Sequence, residues 1–176
     1  LRFDGIDDAY SSASPIALGT DEVCALASVY KMSDAAIGMV CELSPSTGSN
    51  NGSFFLAAPR DPSVANYGFC PKGTIIAQVT TGASFAAPHG AILTGQSKIG
   101  SDLATLRVKG VQVASAATDQ GTGPYTVQTL YVGGRAETFL LFNGWVSGLL
   151  VLSRLPSAAE LAYAEKYFAR KSGITL

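Results

Sequence analysis

The hydrophobic period of this chain changes once, near its end, and that change limits the folds open to it. Thr126-Val-Gln-Thr-Leu-Tyr-Val132 alternates β-branched and aromatic residues with polar ones. Gly133-Gly134-Arg135 interrupts the run, and Asn143 to Ser153 resumes an extended, apolar course. From Ser157 onward the period is helical. Ser157 and Glu160 form a capping box, in which hydroxyl and carboxylate take up the free amides of a first helical turn. The pattern predicts a helix from Ser157 to Lys171, with Leu161, Ala164 and Phe168 on one face and Gly173 as its left-handed stop. Lys166, Arg170 and Lys171 fall toward the negative end of its dipole. A single amphipathic helix after a strand-rich chain needs a sheet to pack on.

Upstream, the sequence reads as short strands punctuated by turns. Glu22 to Tyr30 is a nearly continuous apolar run of strand length and belongs in a core. Ala36–Leu43 and Ser53–Ala57 flank Asn51-Gly52, a favoured hairpin dipeptide, and predict a hairpin with a long tip. Asp61 to Gly73 contains two prolines and no clear period, so it reads as a loop. Thr74–Thr81 is strand-like by β-branching, and Pro88-His89-Gly90 is a loop. Ala91–Ile99, Ala104–Lys109 and Val111–Ser115 form three further strands, the last two joined at Lys109-Gly110, and Asp119–Pro124 is a connector. Turns spaced about ten residues apart predict an all-β antiparallel sandwich, one domain over 1–176, carrying one C-terminal α-helix.

The order Leu130-Tyr-Val-Gly-Gly-Arg135, then Phe142-Asn-Gly-Trp-Val-Ser-Gly-Leu-Leu-Val-Leu-Ser153, then Lys166-Tyr-Phe-Ala-Arg-Lys-Ser-Gly-Ile174 resembles the end of concanavalin A-like (laminin G-like) lectin/glucanase domains. Leu1 to Tyr10 is similar to their first strand. Leu106-Arg-Val-Lys-Gly-Val-Gln-Val113 is similar to their central hairpin, with Lys109 where that hairpin carries asparagine. The likeness spans both ends and one hairpin, and Ser44 to Gly90 matches no motif. The resemblance implies a concanavalin A-like jelly roll. In its Ala/Gly/Thr-rich, charge-poor style the chain is similar to domains on bacteriophage tails, fibres and capsid decorations. That implies a non-catalytic virion surface protein attached to other virion proteins and to itself, with a cell-surface glycan as a further partner. The alternatives are a secreted carbohydrate-binding module and a glycan-active enzyme of the same fold.

Composition and motifs narrow the chemistry. A net charge of -1 with no basic run argues against nucleic acid, because neutralising phosphates takes clustered Lys and Arg. No apolar run approaches the roughly 18 residues of a membrane helix. Cys24, Cys41 and Cys70 are odd in number and read as small hydrophobes, with one pairing left open. The family's glucanases set their acids as Glu-x-Asp-x-x-Glu on one strand. None of the five glutamates here has an acidic neighbour two residues away, so no catalytic residue is expected. His89 is the sole histidine and no Gly-x-Ser-x-Gly elbow accompanies it. Asp4, Asp7 and Asp8 read as turn formers rather than calcium ligands, and no metal or other cofactor is expected.

Trp145 reads as part of the framework, packed in the core or at its rim. Ligand contacts are therefore sought in the unmatched loops, where Asn66, Tyr67 and Phe69, with Tyr125 in another loop, offer an amide-and-aromatic mix. With 14% charged and 47% hydrophobic residues, the surface falls short of what disperses a small monomer. A homo-oligomer is expected, a trimer before a dimer, or stable attachment to a larger shell.

Overall fold

The computed structural model describes residues 1–176 as two six-stranded antiparallel sheets and one helix. Sheet A runs in the order β1 (Arg2–Asp4), β12 (Asn143–Leu152), β3 (Glu22–Lys31), β8 (His89–Lys98), β9 (Leu103–Val108), β10 (Val111–Ala116). Sheet B runs β2 (Tyr10–Ser11), β11 (Leu130–Val132), β4 (Met39–Leu43), β5 (Ser53–Asp61), β6 (Asn66–Lys72), β7 (Val79–Thr80). The first strand pairs the last, Phe3 opposite Gly144, so the two chain ends close sheet A together.

The core between the sheets is built from alternate residues of the central strands. Val23, Ala25, Ala27 and Val29 of β3 face Phe54, Leu56 and Ala58 of β5 across it. Aromatic rings fill the middle, with Phe54 6.1 Å from both Phe69 and Tyr125. Small residues opposite large ones make this possible. A Cβ on Gly95 would sit 2.2 Å from the Phe69 ring, so the glycine is the socket for that side chain.

Helix α1 (Ala158–Ser172) packs on the outer face of sheet A. It carries the expected reciprocal Ser157–Glu160 cap and a left-handed Gly173 stop. Its fully buried residues are Leu161, Glu165 and Ala169, while Ala164 and Phe168 are half-buried. Phe168 lies over Gly148, where a Cβ would come within 2.3 Å. The buried glutamate was not expected from the apolar stripe. Its carboxylate takes two hydrogen bonds from Arg107, at 2.8 and 3.0 Å, and one from Thr94 at 3.0 Å.

Strands β3, β8, β9, β10 and β12 lie close to where the periodicity puts them. Lys109 and Gly110 both adopt positive φ, 50° and 81°, as a two-residue hairpin turn requires. Four readings are corrected. Asp61–Gly73 is not a loop, because Asn66 to Lys72 form β6, buried along its whole length. Its non-alternating pattern reflects burial on both faces, and Pro71 is tolerated because β7 reaches only Gly68 and Phe69. The strand expected over Thr74–Thr81 shrinks to Val79–Thr80, and that over Thr126–Val132 to Leu130–Val132. His89 begins β8, paired with Lys31, instead of lying in a loop.

Candidate functional site

Side chains that do not face the sandwich core on β4, β5 and β6 point to the outer face of sheet B, which no helix covers. Met39, Phe55, Ala57 and Cys70 form a small apolar cluster there, joined by Ile37, Ile76 and Leu140 from surrounding loops. The loops close over most of this face and leave a pocket of about 210 Å³, floored by Phe55 and walled by Met39, Ile37, Ile76 and Leu140.

Two arginines enter the pocket. The guanidinium carbon of Arg60, near the end of β5, lies 5.6 Å from the Phe55 ring centre, and that of Arg135 lies 5.7 Å from it. A cation over an aromatic face is held by the ring quadrupole, and that hold strengthens as water is removed. Gly68 on β6 gives the Arg60 stem its path, since a Cβ there would fall 2.6 Å from the arginine Cγ. The outer nitrogen Nη2 of Arg60 donates to Gln78 at 3.1 Å, while its buried Nε has no partner.

Arg135 is held from below by Glu42 of β4. The glutamate is completely buried, takes 2.8 Å from Arg135 Nε on one oxygen and 2.6 Å from the Thr47 amide on the other. The two Nη groups of Arg135 make no hydrogen bond within the protein, and the side chain lines the pocket, 23% exposed. A buried carboxylate thus fixes a guanidinium whose outer fork is free for a ligand. Arg recognises carboxylates and other planar anions through this fork.

The loop that presents Arg135 is tight and strained. Arg135 and Phe139 exchange backbone hydrogen bonds of 2.7 and 3.0 Å. Ala136, Glu137 and Leu140 all adopt left-handed φ, at 48°, 64° and 50°. Each costs about 1–2 kcal/mol in a non-glycine residue, and such strain concentrates where a side chain must be aimed. Phe139 is left exposed at the loop tip. Across the pocket, Lys72 donates to the Gly48 carbonyl at 2.8 Å and ties down the facing loop.

The residues singled out as ligand contacts lie elsewhere. Tyr67, Phe69 and Tyr125 are completely buried and Asn66 nearly so, and none offers a side-chain face to solvent. Phe69 and Tyr125 belong to the core stack. The Asn66 amide oxygen accepts the Asp61 backbone amide at 2.9 Å, closing the turn between β5 and β6. Tyr67 shares a 2.6 Å hydrogen bond with His89 and stacks on Phe85, with the buried Lys31 ammonium 5.1 Å from its ring centre. Lys31 is neutralised by Asp34 and bonds the Ala65 carbonyl. Desolvation first, then Lys109 and Lys31, holds the His89 pKa below its ordinary value.

Of the remaining candidates, Asp4, Asp7 and Asp8 do come together, their nearest oxygens within 4.8 Å. Asp4 spends its carboxylate on the amides of Ile6 and Asp7, and Asp8 on that of Asp4, as turn formers do. Trp145 sits half-exposed at the rim, edge-on to Tyr30. All three cysteines are free and buried, and desolvation pushes Cys24 and Cys41 up to about 12 and Cys70 up to about 11.

The pocket was missed because its members are scattered: Arg60 and Arg135 are far apart in sequence and Glu42 sits in an otherwise apolar strand. The available signal was Glu42 itself, a charge at strand centre, which has to find a partner.

No family model and no curated protein matches the sequence. Solved structures do match in shape. The CBM40 domain of a Ruminococcus gnavus IT-sialidase, bound to α2,3-sialyllactose, superposes with a TM-score of 0.66 at 16% identity, over 94% of this chain and 98% of that one. The heptameric SAP-like pentraxin of Limulus polyphemus gives 0.71 at 7% identity, over 93% and 80%. The LG4-5 domains of the mouse laminin α1 chain give 0.63 at 16% identity, over 87% and 42%. With two antiparallel sheets, the first strand paired to the last and a terminal helix on one face, this chain has the concanavalin A-like, laminin G-like jelly-roll fold.

Proposed function

We propose that the chain is a non-catalytic glycan-binding module whose ligand carries an acidic group, seated in the sheet B pocket against Arg60 and Arg135. The observation that carries this reading is the free outer fork of Arg135, fixed over Phe55 by a buried glutamate. Two guanidiniums against one buried carboxylate leave the pocket cationic, and the apolar walls of Ile37, Ile76 and Leu140 suit the faces of a sugar ring. Glycoside hydrolysis needs a pair of carboxylates, one to protonate and one to attack or to activate water. No acid lines the pocket, and Glu42, which holds Arg135, already has both oxygens bonded. The likeness to a domain solved with sialyllactose supports the choice of acidic sugar as probe.

A glycan array spotted with sialylated, uronic-acid and neutral oligosaccharides tests the reading. Retention of the acidic members by the wild type, lost in Arg135→Lys, is the expected result. The lysine keeps a charge for Glu42 and removes the fork. Retention of neutral sugars alone, or none at all, overturns it.

As its setting we propose a bacteriophage virion surface, where it would serve as a capsid decoration, tail or fibre component attached to other virion proteins. The support is compositional: 14% charged residues and 19 glycines. A second setting, a secreted carbohydrate-binding module, is favoured by the match over 98% of an isolated CBM40 domain. The genes flanking its own separate the two. Virion structural genes support the first, and a secreted glycosidase reading frame overturns it.

A further inference from the structure

We infer that β10 is a self-association edge, through which two copies of this chain join their A sheets into one continuous antiparallel sheet. The four sheet edges differ sharply. β2 and β7 are Tyr10–Ser11 and Val79–Thr80, too short to template a partner, and β1 is Arg2–Asp4, with a charge at each end. β10 runs from Val111 to Ala116, pairs with β9 on one side and with nothing on the other. No hydrogen bond from any loop, side chain or terminus reaches its outer edge. From Val111 to Thr118 there is no charged residue and no proline, the residues that natural edges use to repel a neighbour. The one device present is a bulge between Gln112 and Ala114, and beyond it Ala114, Ser115 and Ala116 resume regular register opposite Leu106, Thr105 and Ala104.

The occupant that fits this edge is a second β10. An uncharged strand placed antiparallel to itself about a two-fold axis meets no like charge, and the contact closes at two copies. Val111 and Val113 stand 63% and 39% exposed along this edge and would gain cover from the partner. Leu176, 43% exposed, adjoins the hairpin turn, 4.0 Å from where a Gly110 Cβ would lie. The axis of such a pair is perpendicular to the sheet, so the two sheet B pockets face the same way. Two sites presented to one surface bind it with an avidity beyond either alone.

Light scattering coupled to size exclusion on the full chain, with Val113→Lys and Ser115→Glu as variants, tests this. Both positions are at the free edge and outside the core, and far-ultraviolet circular dichroism checks that both variants keep the wild-type fold. The wild type is expected at twice the 18.1 kDa chain mass and both variants at 18.1 kDa. Ser115→Cys is expected to cross-link copies under mild oxidation, while the native thiols stay unreacted because they are buried. A wild type that stays at the single-chain mass up to its solubility limit overturns the proposal. So does a trimer, or a dimer that survives both charged substitutions.

Discussion

On the outer face of sheet A, Glu165 is 2% exposed and holds Arg107 by both oxygens; on the outer face of sheet B, Glu42 is 0% exposed and holds Arg135 by one. Arg107 keeps only Nη1 without a partner, since Nε and Nη2 are bonded to Glu165, Nη2 also donates to the Gly110 carbonyl, and helix α1 lies over the pair. Arg135 keeps both Nη groups free, and no element lies over it. Identical chemistry therefore serves two ends. On sheet A the buried carboxylate and its more fully bonded arginine fasten a helix, and on sheet B the same pair, open at the arginine, is the anion site proposed above. What separates them is coverage: 15 residues of helix sit on sheet A, and only loops surround the pocket on sheet B.

The largest effect expected from breaking this contrast is on sheet A. Glu165→Ala strands Arg107 against an apolar helix base and should cost about 3–5 kcal/mol in chemical denaturation, because one partner of a buried pair is removed. Glycan binding by the folded fraction should be unchanged. A comparable loss of binding in this variant would show that the two faces are coupled.

Next comes the helix contact itself. Phe168 is half-buried over Gly148, so Phe168→Ala should cost about 2 kcal/mol, less than the 3–5 typical of a fully buried ring. A loss below about 0.5 kcal/mol would mean that α1 is not docked on sheet A.

Arg60→Ala sharpens the other side. Arg60 holds no buried acid, so its removal should leave the melting transition nearly in place while weakening an acidic glycan by about tenfold, or 1.4 kcal/mol. Isothermal titration with the wild-type ligand reads this directly. Equal weakening for a neutral glycan would mean that Arg60 packs against sugar instead of meeting charge.

The smallest effect is in acid. Arg154, then the Ser157 amide and hydroxyl, lower the Glu160 pKa from its ordinary 4.5 to about 2. A depressed carboxylate stabilises the fold above its unfolded pKa and loses that contribution as pH falls through the folded one. The first turn of α1 should therefore loosen between pH 4.5 and 2, seen as faster amide exchange at Glu160 and Leu161. Exchange there that is flat with pH, after correction for intrinsic rates, contradicts the cap.

The sandwich and its helix were legible because periodicity and caps are local. β3, β8, β12 and the Lys109-Gly110 turn each announce themselves within ten residues, and Ser157 with Glu160 marks the helix start. β6 was illegible for a physical reason. A strand buried on both faces does not alternate, and Gly68 and Pro71 look like breaks until the reach of β7 and the path of Arg60 are known. The aromatic residues nominated from that stretch were consequently core, and the pocket lay on the reverse side of the same strands. Its parts come from β4, β5 and the loop after β11, a grouping that only the sheet order creates.

If the uncovered face of sheet B receives an acidic glycan, as proposed above, its residues should respond to one. The most direct measurement is a nuclear magnetic resonance titration of the wild-type chain with 3′-sialyllactose, using lactose as the neutral control. The acidic sugar is expected to shift the Arg135 Nε–H signal and the methyls of Ile37, Met39 and Ile76 and to leave Leu161 and Ala169, on the buried face of helix α1, unmoved, while lactose shifts none of them. Shifts confined to the helix face, or the same response to lactose, would contradict it.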